Sequence, residues 1–321
     1  MARIIPSSAA SINQAVNLLH QGRLVAFPTE TVYGLGADAT NGKAVAAIYA
    51  AKQRPEINPL IIHVPASASL DGLIEWNDVA RRLAQNFWPG PLTLVLPRKK
   101  TCPVSLLASA GLETLAVRVP SHPVAQQLLK SFGKPIAAPS ANLSGKLSPT
   151  APEHVAESLG DKVGLILSGE KPSVGLESTV VDCTGSHPLI LRPGGVTREQ
   201  LAKILGKIAE APAPSDDQKI GLSSPGQLAS HYAPHLPLRM NANAVGADEA
   251  LLVFGSGTMI KGDALRLNLS PTGDLAEAAA NLFAMLRQLD RPHLKGIAVM
   301  PIPDEGLGVA INDRLRRACI R

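Results

Sequence analysis

Aromatic residues, long apolar runs and clustered cysteines are all scarce or missing in this 321-residue sequence. Phe, Trp and Tyr make up only 3% of the chain, so the core is predicted to be aliphatic and rich in alanine. Few aromatic side chains also argue against a stacking platform for single-stranded nucleic acid. No apolar run reaches the ~18 residues of a membrane-spanning helix. The N-terminal stretch "MARIIPSSAASINQAV" lacks an apolar core, so we expect no signal peptide and no membrane association.

The cysteines are widely spaced and form no C-x-x-C motif, which favours a reducing, cytoplasmic compartment and no disulfide framework. His231 and His235 are separated by Pro234, which prevents the regular helical turn that a zinc-binding pair would need. The HExxH and GxSxG motifs of metalloproteases and serine hydrolases do not occur. We therefore predict no protein-bound metal site and no covalent nucleophile.

Apolar residues make up 45% and charged residues 18% of the chain, a composition typical of globular proteins. Helix and strand patterns alternate over residues 1–207, which predicts an α/β catalytic domain. Its late strands follow one another closely, so some pairs are expected to be antiparallel. The predicted fold class is therefore α/β, with a twisted mixed sheet and flanking helices.

Residues 208–248 are rich in Pro, Ser and Ala and have little periodicity, so they are predicted to be a linker. Residues 249–321 resume the alternation of strand and helix, which predicts a smaller, Rossmann-like α/β domain.

The net charge of +5 is concentrated in the first part of the chain. Residues 1–207 contain 20 Lys and Arg against 14 Asp and Glu, whereas residues 208–321 contain 11 against 12. The basic excess fits an anionic partner of the first domain, either a nucleotide or RNA. Ordinary surface charge that keeps the protein in solution remains an alternative.

The stretch "KQRPEINPLIIHV" places Lys52, Arg54, Asn58 and His63 around one predicted helix–strand junction. Crevices at strand ends are where ligands bind in α/β folds. Arginine offers a planar fork and lysine a point charge, and together they suit a polyphosphate. The alternative is structural, because cations in a last helical turn also complement the helix dipole.

Two predicted strands carry an arginine among apolar residues, Arg118 in "TLAVRVP" and Arg192 in "LILRPGG". A buried cation without a partner is costly. The partner is either an internal acid or a carboxylate of the ligand. Two strand arginines favour a ligand site more strongly than one would.

Two loops are rich in hydroxyl groups and glycine. "PTETVYGLGAD" contains Thr31, and "SANLSGKLSPT" contains Ser140 and Ser148. Hydroxyls and free backbone N–H groups in such loops can bind phosphate oxygens. Neither loop matches a known phosphate-binding motif, and ordinary turns remain an alternative.

These segments occur in order with "FWPGPLTLVL", "ESTVVD" and "SPGQLASHYAP", and together they resemble the YrdC-like threonylcarbamoyl-AMP synthases. The similarity covers nearly all of residues 1–235, in the long form that has a linker and a second domain. The resemblance implies that L-threonine, bicarbonate (or CO2) and ATP, with Mg²⁺, give threonylcarbamoyl-AMP and pyrophosphate. A separate transferase complex is then expected to modify the tRNA adenosine beside the anticodon.

The resemblance also implies a set of ligand contacts. Threonine is expected to contact Thr31, His63, Arg118, Ser178 and the backbone of Ala138. ATP is expected to contact Arg54, Asn58, Thr114, Ser140, Ser148, Arg192 and His231. Catalysis is then mostly orientation and charge neutralisation by Lys52, Arg54 and Mg²⁺. The segment around His231 is predicted to fold back over the first domain as a lid.

Two alternatives remain open at the level of the sequence. The first is an RNA- or ribosome-binding protein without catalysis, and a weak direct contact with tRNA is compatible with either function. The second is another carbamoyl-adenylate enzyme, as in hydrogenase maturation. Such enzymes normally add zinc-finger-like and acylphosphatase-like segments, which this sequence lacks.

Overall fold

The computed structural model describes residues 3–211, 231–256, 260 and 265–320. The helices are α1 (Ala9–His20), α2 (Gly42–Lys52), α3 (Asp78–Phe87), α4 (Pro123–Phe132), α5 (Pro152–Leu159), α6 (Arg198–Leu205), α7 (Leu275–Leu289) and α8 (Leu307–Cys319). The strands are β1 (Ile4–Pro6), β2 (Val25–Phe27), β3 (Gly34–Asp38), β4 (Ile61–His63), β5 (Leu92–Pro97), β6 (Thr114–Arg118), β7 (Ile136–Ala137), β8 (Leu165–Ser168), β9 (Thr179–Asp182), β10 (Leu189–Arg192), β11 (Ala209–Glu210), β12 (Leu238–Arg239), β13 (Glu249–Val253), β14 (Arg266–Asn268) and β15 (Gly296–Val299).

The larger sheet of the described chain has the strand order β1-β8-β2-β3-β7-β4-β6-β5-β9-β10-β11. Its neighbours are parallel at β4/β6 and β5/β9 and antiparallel at β5/β6 and β9/β10. The sheet is therefore mixed, which confirms the prediction from the closely spaced late strands.

The smaller sheet has the order β12-β15-β13-β14, and its described strand pairs are all parallel. Helices α7 and α8 pack on it through an aliphatic core that includes Leu252, Leu282 and Leu315. The segment 208–248, predicted to be a linker, contributes β11 to the larger sheet and β12 to the smaller one. Strands this short have no periodicity that a sequence could reveal. Residues 212–230 of that segment lie outside the described residues.

The core of the first domain is aliphatic, as the composition predicted. One face of its sheet packs through residues such as Leu35, Ile62 and Val117 against α2 and α3. Around β2, β7 and β8, the opposite face is covered by α1 and α4, with Leu19 and Leu128 in contact with the sheet. The central strands thus have one apolar face in the core and a second face that is free to carry polar side chains.

The junction between α2 and β4 follows from local sequence. Asn41 caps α2, its side chain accepting the backbone N–H groups of Lys43 and Ala44. The helix ends where Gln53 adopts a left-handed conformation with φ of 51°. Pro55 follows, and a proline ring cannot continue a helix. The chain then turns directly into β4.

Candidate active site

A row of polar side chains crosses the central strands on the face opposite the core. His63 of β4 lies opposite Arg118 of β6 in the strand register. Thr93 of β5 lies opposite Val180 of β9, which in turn lies opposite Arg192 of β10. Alternation along a strand places every second residue on one face, so the apolar neighbours of these residues point into the core.

A bulge directs Arg192 to this face. The register between β9 and β10 shifts between Ile190 and Arg192, and Ile190 remains in the core. One extra residue in a strand reverses the face to which the following side chain points. The bulge therefore adds a second arginine to the polar row, a placement that strict alternation would not predict.

This face forms the floor of a cavity whose other walls are loops of the first domain and the segment at His231 and Tyr232. Nine of the residues predicted from the sequence line the cavity: Thr31, Arg54, His63, Arg118, Ala138, Ser140, Ser178, Arg192 and His231. The other four predicted residues do not line it: Lys52, Asn58, Thr114 and Ser148. The cavity is also lined by Thr29, Val32, Tyr33, Gly34, Ile61, Pro139, Glu177 and Tyr232.

Arg118 forms an ion pair with Glu30, with 2.7 Å between Arg118 Nη2 and Glu30 Oε1. Arg118 Nε also donates to the Gly90 carbonyl at 3.3 Å. Both charged side chains are buried. The sequence left open whether this arginine had an internal acid or a ligand as its partner, and the structure provides the acid. Sequence reasoning missed Glu30, because a single glutamate in a loop carries no periodic signal.

His63 lies beside Arg118 and is held neutral. Burial, and after it the charge of Arg118, lowers the pKa of His63 to about 3. Its Nδ1 is 3.2 Å from the Ile61 carbonyl, which is an acceptor and therefore requires the proton on Nδ1. Nε2 is then left as a hydrogen-bond acceptor in an arginine-rich cavity. A neutral acceptor of this kind suits a hydroxyl or ammonium group of a ligand.

Arg192 is held at the cavity by Ser178. Its Nη2 donates to the Ser178 carbonyl at 2.9 Å and to Ser178 Oγ at 3.3 Å. The Ser178 and Thr93 hydroxyls lie 2.7 Å apart. Thr93 was not predicted, although a threonine inside the apolar stretch "PLTLVLP" was an available signal. These contacts fix Ser178 and Arg192 relative to each other.

Arg54 is anchored by the turn that follows it. Its Nε donates to the Asn58 carbonyl at 3.1 Å and its Nη2 to the Pro59 carbonyl at 2.9 Å. Burial lowers the pKa of Arg54 to about 10. The Asn58 side-chain amide is buried and has no hydrogen-bond partner in the described part of the chain. An unpaired buried amide is unusual, and the cavity does not reach this side chain.

Lys52, which was predicted to neutralise phosphate charge, is bound to the loop that follows β7. Its Nζ donates to the carbonyls of Ser140 at 2.6 Å and Asn142 at 2.5 Å, and it does not line the cavity. Burial, followed by the charge of Arg54, lowers the pKa of Lys52 well below its usual value. The geometry therefore assigns Lys52 to holding the Ser140 loop. A sequence cannot show which distant carbonyls a lysine reaches.

Ser148 is buried behind the cavity wall and donates its hydroxyl proton to the carboxylate of Glu177. Glu177 also accepts from Arg314 Nε at 2.8 Å, and Arg314 Nη2 donates to the Pro193 carbonyl at 3.0 Å. Burial raises the pKa of Glu177, but the charges of Arg314 and Arg192, together with the hydrogen bonds from Ser148 and Arg314, outweigh this effect and the net pKa is lowered. Neither Glu177 nor Arg314 was predicted from the sequence.

His231 reaches the cavity from the start of the second described segment. Burial, and after it Arg317 and Arg54, lowers the pKa of His231 well below its usual value. Its Nδ1 has no hydrogen-bond partner among the residues described. The next residue, Tyr232, is held with its ring centroid 5.1 Å from the guanidinium carbons of both Arg314 and Arg317. The second domain thus fixes the position of this segment over the cavity, whereas residues 224–230 of the predicted lid lie outside the described residues.

Within the described residues, no group of His, Cys, Asp or Glu side chains is arranged to hold a metal ion. No helix in the same part of the chain is both long and apolar enough to cross a membrane.

The mixed α/β fold and its arginine-lined cavity place the protein in the YrdC-like class. A family model described as "Telomere recombination", which covers Sua5, YciO and YrdC, matches residues 17–194. A second, described as "Threonylcarbamoyl-AMP synthase, C-terminal domain", matches residues 196–319. The chain therefore belongs to the threonylcarbamoyl-AMP synthase family, in its long form with a second domain, as the sequence motifs predicted.

Relatives of similar length support this assignment. The threonylcarbamoyl-AMP synthase of Pyrococcus abyssi is 40% identical over 96% of this chain and 93% of the relative. The Bacillus subtilis enzyme of the same name is 41% identical over 96% of this chain and 92% of the relative. The crystal structure of P. abyssi Sua5 complexed with L-threonine superposes with a TM-score of 0.89. It is 38% identical and covers 99% of this chain and 97% of that one.

Proposed function

We propose that this protein is a threonylcarbamoyl-AMP synthase that forms threonylcarbamoyl-AMP and pyrophosphate from L-threonine, bicarbonate or CO2, and ATP. The observation that carries the proposal is the presence of Arg118, Arg54 and Arg192 in one cavity, beside the neutral His63. A carboxylate and a polyphosphate are the ligands that such an arrangement suits. The P. abyssi relative, which has nearly the same length and fold, has been crystallised with L-threonine.

Threonine binds at the Arg118 end of the cavity in this proposal. The Arg118 guanidinium receives the carboxylate, while His63 Nε2 and the hydroxyls of Thr31 and Ser178 are close enough to the cavity to contact the polar groups. Ala138 donates its N–H to the Ile61 carbonyl at 2.9 Å, so its carbonyl is the group left for the ligand. A site that hydrogen-bonds a hydroxyl rejects an analogue that lacks it, so valine is expected to be a poor substrate.

ATP binds at the Arg54 and Arg192 end. Both guanidiniums, the Ser140 hydroxyl and His231 line this part of the cavity. The proposed ATP contacts of Asn58, Thr114 and Ser148 are less direct, because the cavity does not reach these side chains in the structure. Mg²⁺ would arrive on the ATP phosphates, which with water provide most of its ligands, and the hydroxyls of Thr31 and Ser140 are the neutral oxygens that line the cavity near it; the ion would supply charge neutralisation.

The chemistry requires orientation and exclusion of water more than a covalent catalyst. The threonine amine nitrogen forms a bond to carbon, either to CO2, with opening of one C=O π bond and loss of a proton from nitrogen, or to bicarbonate, with loss of water. An oxygen of the resulting carbamate then attacks the α-phosphate of ATP. The bond from the α-phosphorus to the bridging oxygen breaks and pyrophosphate leaves. Arg54 and Arg192 stabilise the added charge. A carbamate is labile in water, so a cavity lined on one side by His231 and Tyr232 would limit the access of water to it.

The product is expected to pass to a separate transferase complex that modifies the tRNA adenosine beside the anticodon. Such a role belongs in the cytoplasm, where the tRNA is. A weak direct contact with tRNA remains compatible with the basic first domain.

Pyrophosphate release tests the proposal. The protein is incubated with ATP, Mg²⁺, bicarbonate and one amino acid at a time, and the product is identified by mass spectrometry. We expect release that depends on both threonine and bicarbonate, with little release for valine. Steep, salt-dependent RNA binding without any threonine-dependent turnover would instead support the non-catalytic alternative.

A further inference from the structure

We infer that Glu30 is a positioning residue for threonine, because it holds the Arg118 guanidinium in the orientation that leaves one of its nitrogens for the substrate carboxylate. The inference rests on the proposed function and goes beyond it, since Glu30 itself does not line the cavity. It predicts that Glu30 acts on threonine and not on ATP.

The first observation is how the three nitrogens of Arg118 are used. Nη2 lies 2.7 Å from Glu30 Oε1, an ion-pair contact in which neither atom meets hydrogen-bond geometry, and Nε donates to the Gly90 carbonyl at 3.3 Å. Nη1 makes no hydrogen bond to any described residue. Arg118 lines the cavity, so a guanidinium held on two sides presents its remaining nitrogen there. Charge-assisted pairing with a carboxylate is the interaction that such a nitrogen forms best.

The second observation is that Glu30 is itself fixed by two other segments. Its Oε2 accepts the Ser121 backbone N–H at 3.1 Å, and its backbone carbonyl accepts the Val174 N–H at 2.8 Å. The preceding residue, Thr29, closes a tight turn by donating its hydroxyl to the Val32 carbonyl at 2.7 Å. Glu30 is therefore a rigid anchor, and a long arginine side chain bound to a rigid anchor loses its rotameric freedom before the substrate arrives.

The charge of Glu30 also has an opposing effect, because a carboxylate close to Arg118 repels the carboxylate of threonine. Orientation is expected to dominate, since an arginine without its buried partner can turn towards other acceptors and lose the productive geometry. Two substitutions separate these effects. Glu30→Gln removes the charge but keeps an oxygen beside Nη2, whereas Glu30→Ala removes both.

The experiment begins with the wild-type protein, for which threonine-dependent pyrophosphate release establishes the activity. Values of KM for threonine and for ATP are then measured for Glu30→Ala and Glu30→Gln. We expect Glu30→Ala to raise the threonine KM about tenfold or more while the ATP KM stays within about twofold. Glu30→Gln is expected to keep the threonine KM within about threefold of the wild type. The matched control is Glu170→Ala, a change to an exposed glutamate in the loop that follows β8.

A double-mutant cycle tests whether Glu30 acts through Arg118. In an Arg118→Ala background, adding Glu30→Ala should change the threonine KM by less than about twofold. If Glu30 had only a structural role, the effects of Glu30→Ala and Arg118→Ala on the threonine KM would multiply. The ATP KM would then rise as well. If Glu30→Ala does not fold, Glu30→Asp takes its place, because it withdraws the carboxylate from Nη2 while keeping its charge.

Three results would overturn the inference. The first is a folded Glu30→Ala protein whose threonine KM is unchanged or lower, and the second is an equal rise in the KM values for threonine and ATP. The third is a Glu30→Ala effect on the threonine KM that is as large in the Arg118→Ala background as in the wild type. If the wild type releases no pyrophosphate, the proposed function fails separately, and calorimetric titration with threonine then tests Glu30. An absence of threonine binding by the wild type would overturn both.

Discussion

Arg314 in the C-terminal helix α8 donates from Nε to the carboxylate of Glu177 at 2.8 Å, although the two residues are 137 positions apart. Both side chains are buried, and Glu177 also accepts the hydroxyl of Ser148 in the first domain. The second domain is therefore connected to the wall of the active-site cavity by a buried ion pair. The Arg314 guanidinium also lies over the ring of Tyr232, the residue that follows His231.

Replacing Arg314 by methionine should destabilise the protein and weaken ATP binding. The change leaves Glu177 as a buried carboxylate without its main partner, which costs about 3–5 kcal/mol of unfolding free energy. Denaturant unfolding measures this loss, and the ATP KM reports the effect on Ser148. Adding Glu177→Gln should recover part of the stability, because it removes the stranded charge. A double variant that is less stable than Arg314→Met alone would contradict this account.

Arg118→Ala should weaken threonine binding by ~2–5 kcal/mol, because it removes the guanidinium that is proposed to pair with the threonine carboxylate. The ATP affinity should change little, since Arg54 and Arg192 remain. Calorimetric titration of the folded variant with each substrate provides the measurement. The hypothesis fails if a folded Arg118→Ala protein binds threonine as tightly as the wild type.

Lys52→Met distinguishes the position that the structure shows from the phosphate contact that the sequence suggested. Losing Nζ leaves the Ser140 and Asn142 carbonyls without their donor, which should cost about 1–3 kcal/mol of unfolding free energy and lower pyrophosphate release. Lys43→Met, on the exposed side of the same helix, is the control. Lost turnover at unchanged stability would instead place Lys52 directly at the phosphates.

His63 should make stability depend on pH in a defined window. Its folded pKa is about 3 against an ordinary value of 6.5, so the unfolded chain binds the extra proton between these values. The free energy of unfolding therefore falls as the pH decreases from about 6 towards 3. His63 alone contributes a loss of about 1.4 kcal/mol per pH unit in this range. Denaturant unfolding of the wild type and His63→Gln at pH 6 and pH 5 tests this. If the free energy of unfolding changes equally between pH 6 and pH 5 in the wild type and in His63→Gln, His63 does not stay neutral in the folded protein.

The residues proposed from the sequence that line the cavity lie in continuous motifs. Arg118 was singled out as a cation inside an apolar strand and His63 as part of the junction after α2, and hydroxyl-rich loops pointed to Thr31 and Ser140. Glu30 could not be found in this way, because its role depends on Ser121 and Arg118, which are brought close only by the sheet.

Two further placements also depend on tertiary structure. Arg192 faces the cavity because of a bulge between Ile190 and Arg192, and a shift of one residue in register leaves no trace in composition. Glu177 meets Arg314 only when the second domain packs on the first. Sequence patterns therefore predicted the mixed α/β fold and the motifs that line the cavity, whereas the supporting residues required the packed structure.

The lid hypothesis concerns His231, the first described residue after the segment 212–230. His231 lines the cavity, and burial, followed by the charges of nearby cations such as Arg317 and Arg54, lowers its pKa. Its unpaired Nδ1 is available to a nucleotide, and Tyr232 beside it is held by arginines of α8. We therefore expect His231→Ala to raise the ATP KM about tenfold, the loss of one hydrogen bond in a dry site, with little change in the threonine KM.

The matched control is His235→Ala, four residues further along. His235 is exposed and pairs with Asp290 at 2.9 Å, away from the cavity, so its loss should leave both KM values within about twofold of the wild type. Limited proteolysis provides a second measurement, because a closed lid should protect its segment when ATP and threonine are both present. Equal kinetics for His231→Ala and the wild type, together with proteolysis that does not respond to the substrates, would show that this segment is only a tether.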